Sequence, residues 1–228
     1  MTDTDKRDDL TVDQHLALTT AARHLGGEFA GTFAVETIER FLHASYDEFA
    51  AHSRLPNFLP LLAERFARQR LQALAKIEGK SDGRPIVLFL CVHNAGRSQM
   101  ALGFFQQLAG QSAVAWSGGA QFANEINPAA VASMAERGID ISAEFPKLWT
   151  EEVVRAADVV VTMGCGDACP IFPGKRYEDW EIDDPAGKTV QDIGPICDEI
   201  ERRVRTLLAE LNITITASRR PTPPARHE

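Results

Sequence analysis

The chain has 228 residues, of which 44% are apolar and 25% charged, and its formal net charge is −8. This is enough apolar content for one large domain or two small ones. The acidic balance excludes a general nucleic-acid binder, which needs a basic face to displace counterions.

The amino terminus, MTDTDKRDDL, is charged and lacks an apolar centre. Residues 1–10 are therefore expected to be disordered and not a signal peptide. No apolar run approaches the length that spans a bilayer, so a soluble cytoplasmic protein with no membrane partner is expected. Thiols stay reduced in that compartment, so clustered cysteines point to catalysis, a redox relay or a metal instead of a disulfide framework. From residue 11 to 80 only helical periodicity is present. Val35, Ile38, Phe41, Leu42 and Phe49 recur at three- and four-residue steps. Leu59, Leu62, Phe66, Leu71 and Leu74 continue the stripe after a break at RLPNFLP, and Gly26-Gly27 marks an earlier break. The pattern predicts a small three-helix bundle domain. EGKSDGRP, residues 78–85, reads as a linker.

From residue 84 to 213 the pattern alternates. Ile86–Leu90 is a continuous apolar run, as in a strand buried on both faces. Met100, Phe104, Phe105 and Leu108 form a helical stripe, and Val114–Trp116 a short strand. Residues 127–138 read as a helix ended by Gly138, and Val159–Met163 as another buried strand. A last helix is predicted from about Pro195 to Leu211, carrying Ile196, Ile200, Val204 and Leu207 on one face. Strands alternating with helices imply an α/β domain with a parallel sheet. The polar, proline-bearing tail, residues 214–228, is expected to be disordered.

CVHNAGRS, residues 91–98, follows the first strand directly. Ligands of open parallel sheets bind beyond the carboxyl ends of the strands, where Cys91 falls. The next helix begins near Ser98, so its amino terminus, with free N–H groups and a favourable dipole, faces the same place. Arg97 can grip two oxygens at once, and Gly96 lets the loop curl. An isolated C-x5-R is ordinarily a core cysteine and a surface arginine. Here the preceding strand, Ser98 and the following helix favour a loop, Val92, His93, Asn94, Ala95, Gly96, Arg97 and Ser98, that holds a tetrahedral oxyanion against the Cys91 sulfur.

CVHNAGRSQ resembles the C-x5-R-S loop of low-molecular-weight protein tyrosine phosphatases and the related arsenate reductases. The similarity extends to WSGGA (116–120), residues 127–142 and DDPAG (183–187). It implies a four-stranded parallel sheet flanked by helices, preceded here by the helical bundle. It also implies that Asn94 shapes the loop, that Ser98 donates to the Cys91 sulfur, and that Asp184 is the general acid, with Asp183 second to it. On DDP alone, a plain turn is the simpler reading.

Cys165 and Cys169, in VTMGCGDACPIFPG, follow the predicted strand Val159–Met163 and so fall at the same sheet edge, on a loop expected to be exposed. A phosphatase has no use for them, whereas reducing arsenate requires thiol electrons. The resemblance to three-cysteine arsenate reductases implies a relay from Cys91 to Cys165 to Cys169, ended by thioredoxin. Arsenate is then the substrate, with phosphate or sulfate as mimics. The short spacing of the pair leaves open which cysteine attacks first. Zinc at C-x3-C lacks a second pair at ligand spacing, so neither metal nor cofactor is expected. Cys197, on the stripe of the last helix, reads as core. Three alternatives stay open: a tyrosine phosphatase, a reductase fed by a small thiol such as mycothiol, and an oxyanion sensor whose helices regulate or bind DNA. Residues 11–79 carry no basic recognition helix, and dimerisation through them, or their packing over the catalytic domain, is the more natural role.

Overall fold

The structure, a computed structural model, describes residues 10–52, 58–166, 169 and 171–216. The chain divides into two compact units, Met1–Asp82 and Gly83–Glu228. The expectations for residues 1–9 and 217–228 and for the break at 53–57 lie outside the described residues. No described helix is long and apolar enough to cross a membrane.

The first unit contains α1 (Val12–Glu28), α2 (Val35–His52) and α3 (Leu59–Ile77). Thr11 and Gln14 close a capping box that fixes the start of α1. Leu18 and Leu25 of α1, Ile38, Leu42 and Phe49 of α2, and Phe66 and Leu71 of α3 are buried. Phe49 and Phe66 meet edge to face at 5.6 Å. Gly26-Gly27 does not break the chain as expected. Both glycines lie inside α1, and the turn comes later, at Gly31 with φ +75°. A helical glycine costs only about 1 kcal/mol, which burial of Leu18, Ala21 and Leu25 in the same helix offsets.

The second unit is a parallel four-stranded sheet in the order β2-β1-β3-β4, built from β1 (Ile86–Cys91), β2 (Val114–Gly119), β3 (Val159–Met163) and β4 (Arg176–Asp179). α4 (Arg97–Ala109), α5 (Pro128–Ala135), α6 (Glu151–Ala156) and α7 (Val190–Glu210) accompany it. Every residue of β1 is buried. Val87, Phe89 and Cys91 join the core formed with α4, α5 and α7, and the alternate residues Ile86, Leu88 and Leu90 serve the opposite face. The chain leaves β1 first towards β2 and later returns to β3 on the other side. This reversal opens a crevice at the carboxyl end of β1, where Cys91 is the last strand residue.

Three elements differ from expectation. β4 has the sequence RYED and α6 the sequence EEVVRA; neither carries an apolar run that marks it. α7 starts at Val190, ahead of Pro195, because Thr189 and Asp192 form a capping box there. Residues 214–216, assigned above to the disordered tail, are held in place: the Thr216 N–H and hydroxyl both donate to the Leu108 carbonyl, at 2.9 and 2.8 Å.

Phe89 is fully buried between Phe105 and Trp180, at centroid distances of 5.8 and 5.9 Å. Phe89→Ala is expected to destabilise the second unit by about 3–5 kcal/mol, seen as an earlier denaturant midpoint with little change in slope.

Candidate active site

The residues after β1 form a loop whose main-chain carbonyls are engaged. Those of Cys91, Val92 and Ala95 accept from the N–H groups of Ala120, Gln121 and Asn127 at 3.2, 2.8 and 2.8 Å. The Asn94 carbonyl accepts from Gln99 Nε2 at 3.0 Å. A trans peptide places its N–H opposite its C=O, so the N–H groups of Val92, His93, Ala95 and Gly96 point away from these partners. A run of N–H groups freed in this way at a helix start is an anion-binding arrangement.

Asn94 sets the curl. It is fully buried with φ +51°, the left-handed region in which a short polar side chain is tolerated. Its Oδ1 accepts from the Lys147 N–H at 3.1 Å and from Gln99 Nε2 at 3.0 Å. Its Nδ2 donates to Ser98 Oγ at 2.8 Å. With that lone pair occupied, the Ser98 hydroxyl hydrogen is free to point at Cys91 Sγ, 3.0 Å away. Gln99 also donates to the Phe145 carbonyl at 3.1 Å. Gln99 and the 145–147 segment were not singled out from sequence. Their only local signal is that Gln99 follows the motif.

Arg97 is 8% exposed. Its Nη2 donates to Asp184 Oδ2 at 2.7 Å and its Nη1 to the Ile182 carbonyl at 3.2 Å. Asp183 instead faces Lys188 Nζ at 3.1 Å. Of the remaining predicted loop residues, His93 is exposed, Val92 and Ala95 are half-buried, and Gly96 is buried.

Close approach governs three positions around the loop. A Cβ at Gly96 would lie 2.6 Å from Pro185 Cγ, so the Asp-Pro loop rests directly on the 92–98 loop. A Cβ at Gly119 would lie 2.9 Å from both Asn94 N and His93 C. At Gly164, with φ +76°, it would lie 2.8 Å from Arg97 Nη1.

Cys165 and Cys169 are joined by a disulfide with their Cα atoms 5.8 Å apart, while Cys91 and Cys197 are free. Cys91 pairs in register with Met163, two residues before Cys165, so the disulfide-bearing segment leaves the sheet beside the 92–98 loop. The expectation of an exposed pair is corrected: both half-cystines are 7% exposed. Their bond turns each side chain towards the other, and the Cys169 N–H donates to the Gly166 carbonyl at 3.2 Å, which tightens the turn. Cys197 is fully buried with its sulfur 3.3 Å from Ser133 Oγ. Burial pushes its thiol up, opposed by Ser133 and Arg137. Among the described residues no cluster of histidine, cysteine or acidic side chains forms a metal site.

Residues 86–216 match the family described as low molecular weight phosphotyrosine protein phosphatase, and residues 18–75 match the protein-tyrosine-phosphatase-like N-terminal domain. Arsenate reductase 2 of Staphylococcus epidermidis is 38% identical over 124 residues, 53% of this chain and 93% of that protein. A putative arsenate reductase of Halobacterium salinarum is 33% identical over 129 residues, 54% of this chain and 91% of its own. The solved structure of the Corynebacterium glutamicum thioredoxin-dependent arsenate reductase is 44% identical and superposes with a TM-score of 0.76, over 86% of this chain and 96% of the other.

Gly119→Ala is expected to weaken inorganic phosphate binding at least tenfold, because main-chain atoms cannot yield as a flexible side chain does. Calorimetric titration of phosphate into reduced protein, set beside the unfolding midpoint, checks this; unchanged affinity would contradict the close-approach account.

Proposed function

Because the chain belongs to the low molecular weight phosphotyrosine protein phosphatase family, and its named relatives include arsenate reductases, we propose that it reduces arsenate to arsenite in the cytoplasm with thioredoxin as the electron donor. One observation carries the reading: a Cys165–Cys169 disulfide beside a free Cys91 at one sheet edge. A phosphatase cycle ends with water and needs no such bond.

Arsenate enters the loop 92–98 and takes the Arg97 guanidinium from Asp184. Freed from Arg97, the Asp184 carboxylate takes up a proton from solvent. The Cys91 thiolate attacks arsenic, a sulfur–arsenic bond forms, and an arsenate hydroxyl leaves as water with that proton. The Cys165 thiolate then attacks Cys91 Sγ. The electron pair of the sulfur–arsenic bond passes to arsenic, which leaves as arsenite, and a Cys91–Cys165 disulfide remains. The Cys169 thiolate attacks Cys165 Sγ, releases the Cys91 thiolate and forms the Cys165–Cys169 bond. Two electrons from the thioredoxin dithiol restore both thiols. A free Cys91 beside an oxidised Cys165–Cys169 pair is the form such a cycle reaches before thioredoxin acts, which supports the reading.

Phosphotyrosine is the poorer fit. Trp180 and Tyr177, the rings nearest the Asp-Pro loop in sequence, are both engaged. Trp180 is 4% exposed against Phe89, and the Tyr177 hydroxyl accepts from the Phe172 N–H at 2.8 Å. A small-thiol donor would leave the internal cysteine pair without a purpose. The helical unit is read as a self-association module, supported by the apolar Val12, Leu16 and Val35, which are 83%, 64% and 61% exposed. Light scattering of the full chain should then give twice the monomer mass, and Leu16→Glu should return it to one.

The test of the main reading follows NADPH oxidation with arsenate, thioredoxin and thioredoxin reductase. Cys91→Ser, Cys165→Ser and Cys169→Ser should each lower turnover by at least about 100-fold. Hydrolysis of para-nitrophenyl phosphate should vanish only in Cys91→Ser. Full arsenate turnover by the Cys165 and Cys169 variants would refute the relay.

A further inference from the structure

Asn127 bonds to both loops of the site. Its N–H donates to the Ala95 carbonyl of the oxyanion loop at 2.8 Å. Its side-chain Nδ2 donates to the Pro185 carbonyl at 3.1 Å, one residue past Asp184. Its Oδ1 accepts from the N–H groups of Ala129 and Ala130 at 2.9 and 3.2 Å, which caps α5. One half of the carboxamide therefore caps a helix while the other half holds the acid loop.

The cap alone does not call for asparagine. Serine, threonine and aspartate cap as well, because the cap uses only an acceptor oxygen. Only asparagine among them adds an N–H donor that reaches Pro185. The other side of that proline is already fixed, since its ring fills the space over Gly96. Within its own loop Asp184 Oδ1 accepts from the Ala186 N–H at 2.9 Å, and the Pro185 carbonyl also accepts from the Lys188 N–H at 3.2 Å. Outside that loop, the carboxylate is held by its ion pair with Arg97 at 2.7 Å. An oxyanion that takes Arg97 removes that external hold; the bonds inside the 184–188 turn keep its shape, and the bond from Asn127 to Pro185 still ties it to the start of α5.

We propose that Asn127 is a positioning residue that keeps the Asp184 loop at a fixed height over the oxyanion loop once substrate has displaced the Arg97–Asp184 pair, so that the acid stays within reach of the leaving oxygen. The proposal rests on the reading of Asp184 as the general acid. It requires that Asn127 act on the proton-transfer step and not on anion affinity. The bond from Asn127 to the oxyanion loop comes from its backbone and survives any side-chain change except proline.

Asn127→Asp tests it in the full chain. Aspartate keeps the cap but sets an oxygen, in place of N–H, against the Pro185 carbonyl. In pre-reduced protein, the single-turnover rate of arsenite release should fall roughly tenfold or more. The competitive inhibition constant for inorganic phosphate and the unfolding midpoint should stay within twofold and a few degrees of the parent. Asn127→Ser, a second capping side chain without the amide, should behave alike and decides the matter should the aspartate variant not fold. Because the residue acts through Asp184, Asn127→Asp should cost nothing more in an Asp184→Asn background. Parent rates in both Asn127 variants, a loss matched by phosphate affinity or stability, or an equal loss in both backgrounds would each overturn the proposal. Asp184→Asn at the parent rate would instead overturn the acid reading, and the tether with it. A slow Asp184→Asn beside fast Asn127 variants would refute the tether alone.

Discussion

The site depends on the direction of four peptide planes. Carbonyls in the 91–95 stretch are turned away by donors from residues 120, 121, 127 and Gln99. Peptide planarity then dictates where the N–H groups go. No charged side chain is needed to produce this polarity; it follows from the contact of the loop with the ends of β2 and α5. The arrangement requires one residue in the left-handed region, and Asn94 accepts that conformation because its own side chain is satisfied on both the oxygen and nitrogen ends. The same carboxamide orients the Ser98 hydroxyl towards the sulfur, so loop shape and the environment of Cys91 rest on a single side chain.

Around that loop the protein has drawn three other segments into van der Waals contact by leaving out side chains. Gly96 admits Pro185, Gly119 admits the loop main chain, and Gly164 admits the Arg97 guanidinium. The third contact links two halves of the chemistry, since Gly164 directly precedes Cys165. The arginine that would hold the oxyanion lies against the segment that would carry the oxidising equivalents away. Movement of one bears on the other through a contact that has no slack.

Much of this could be read from residue order. Ile86–Leu90 carries the apolar run of a strand buried on both faces, and the motif beginning at Cys91 marks the crevice at its end. The spacing from Val159 to Cys169 places the second sulfur pair at the same edge. Charged, half-exposed RYED shows no strand signal, because an edge strand borrows its order from the pairing of Val159–Thr162 with Arg176–Asp179. Gly26-Gly27 misleads because helix propensity is weak beside burial of Leu18 and Leu25. Gln99, Asn127 and Lys147 are invisible beforehand for another reason. They bond to groups as far as 58 residues away, and nothing in composition or period reports a contact of that kind.

The ion pair between Arg97 and Asp184 also bears on which anions the 92–98 loop would accept. A carboxylate held on the same chain competes for the guanidinium at an effective concentration of about millimolar or more, whatever the solution contains. Chloride or acetate, with one charge and few acceptor atoms, offers little to displace it. A tetrahedral dianion brings a second charge and further oxygens to the converging N–H groups, and so can win the exchange. On the proposed function, the loop would therefore sort solutes by valence before any sulfur chemistry began, with Asp184 as the doorkeeper.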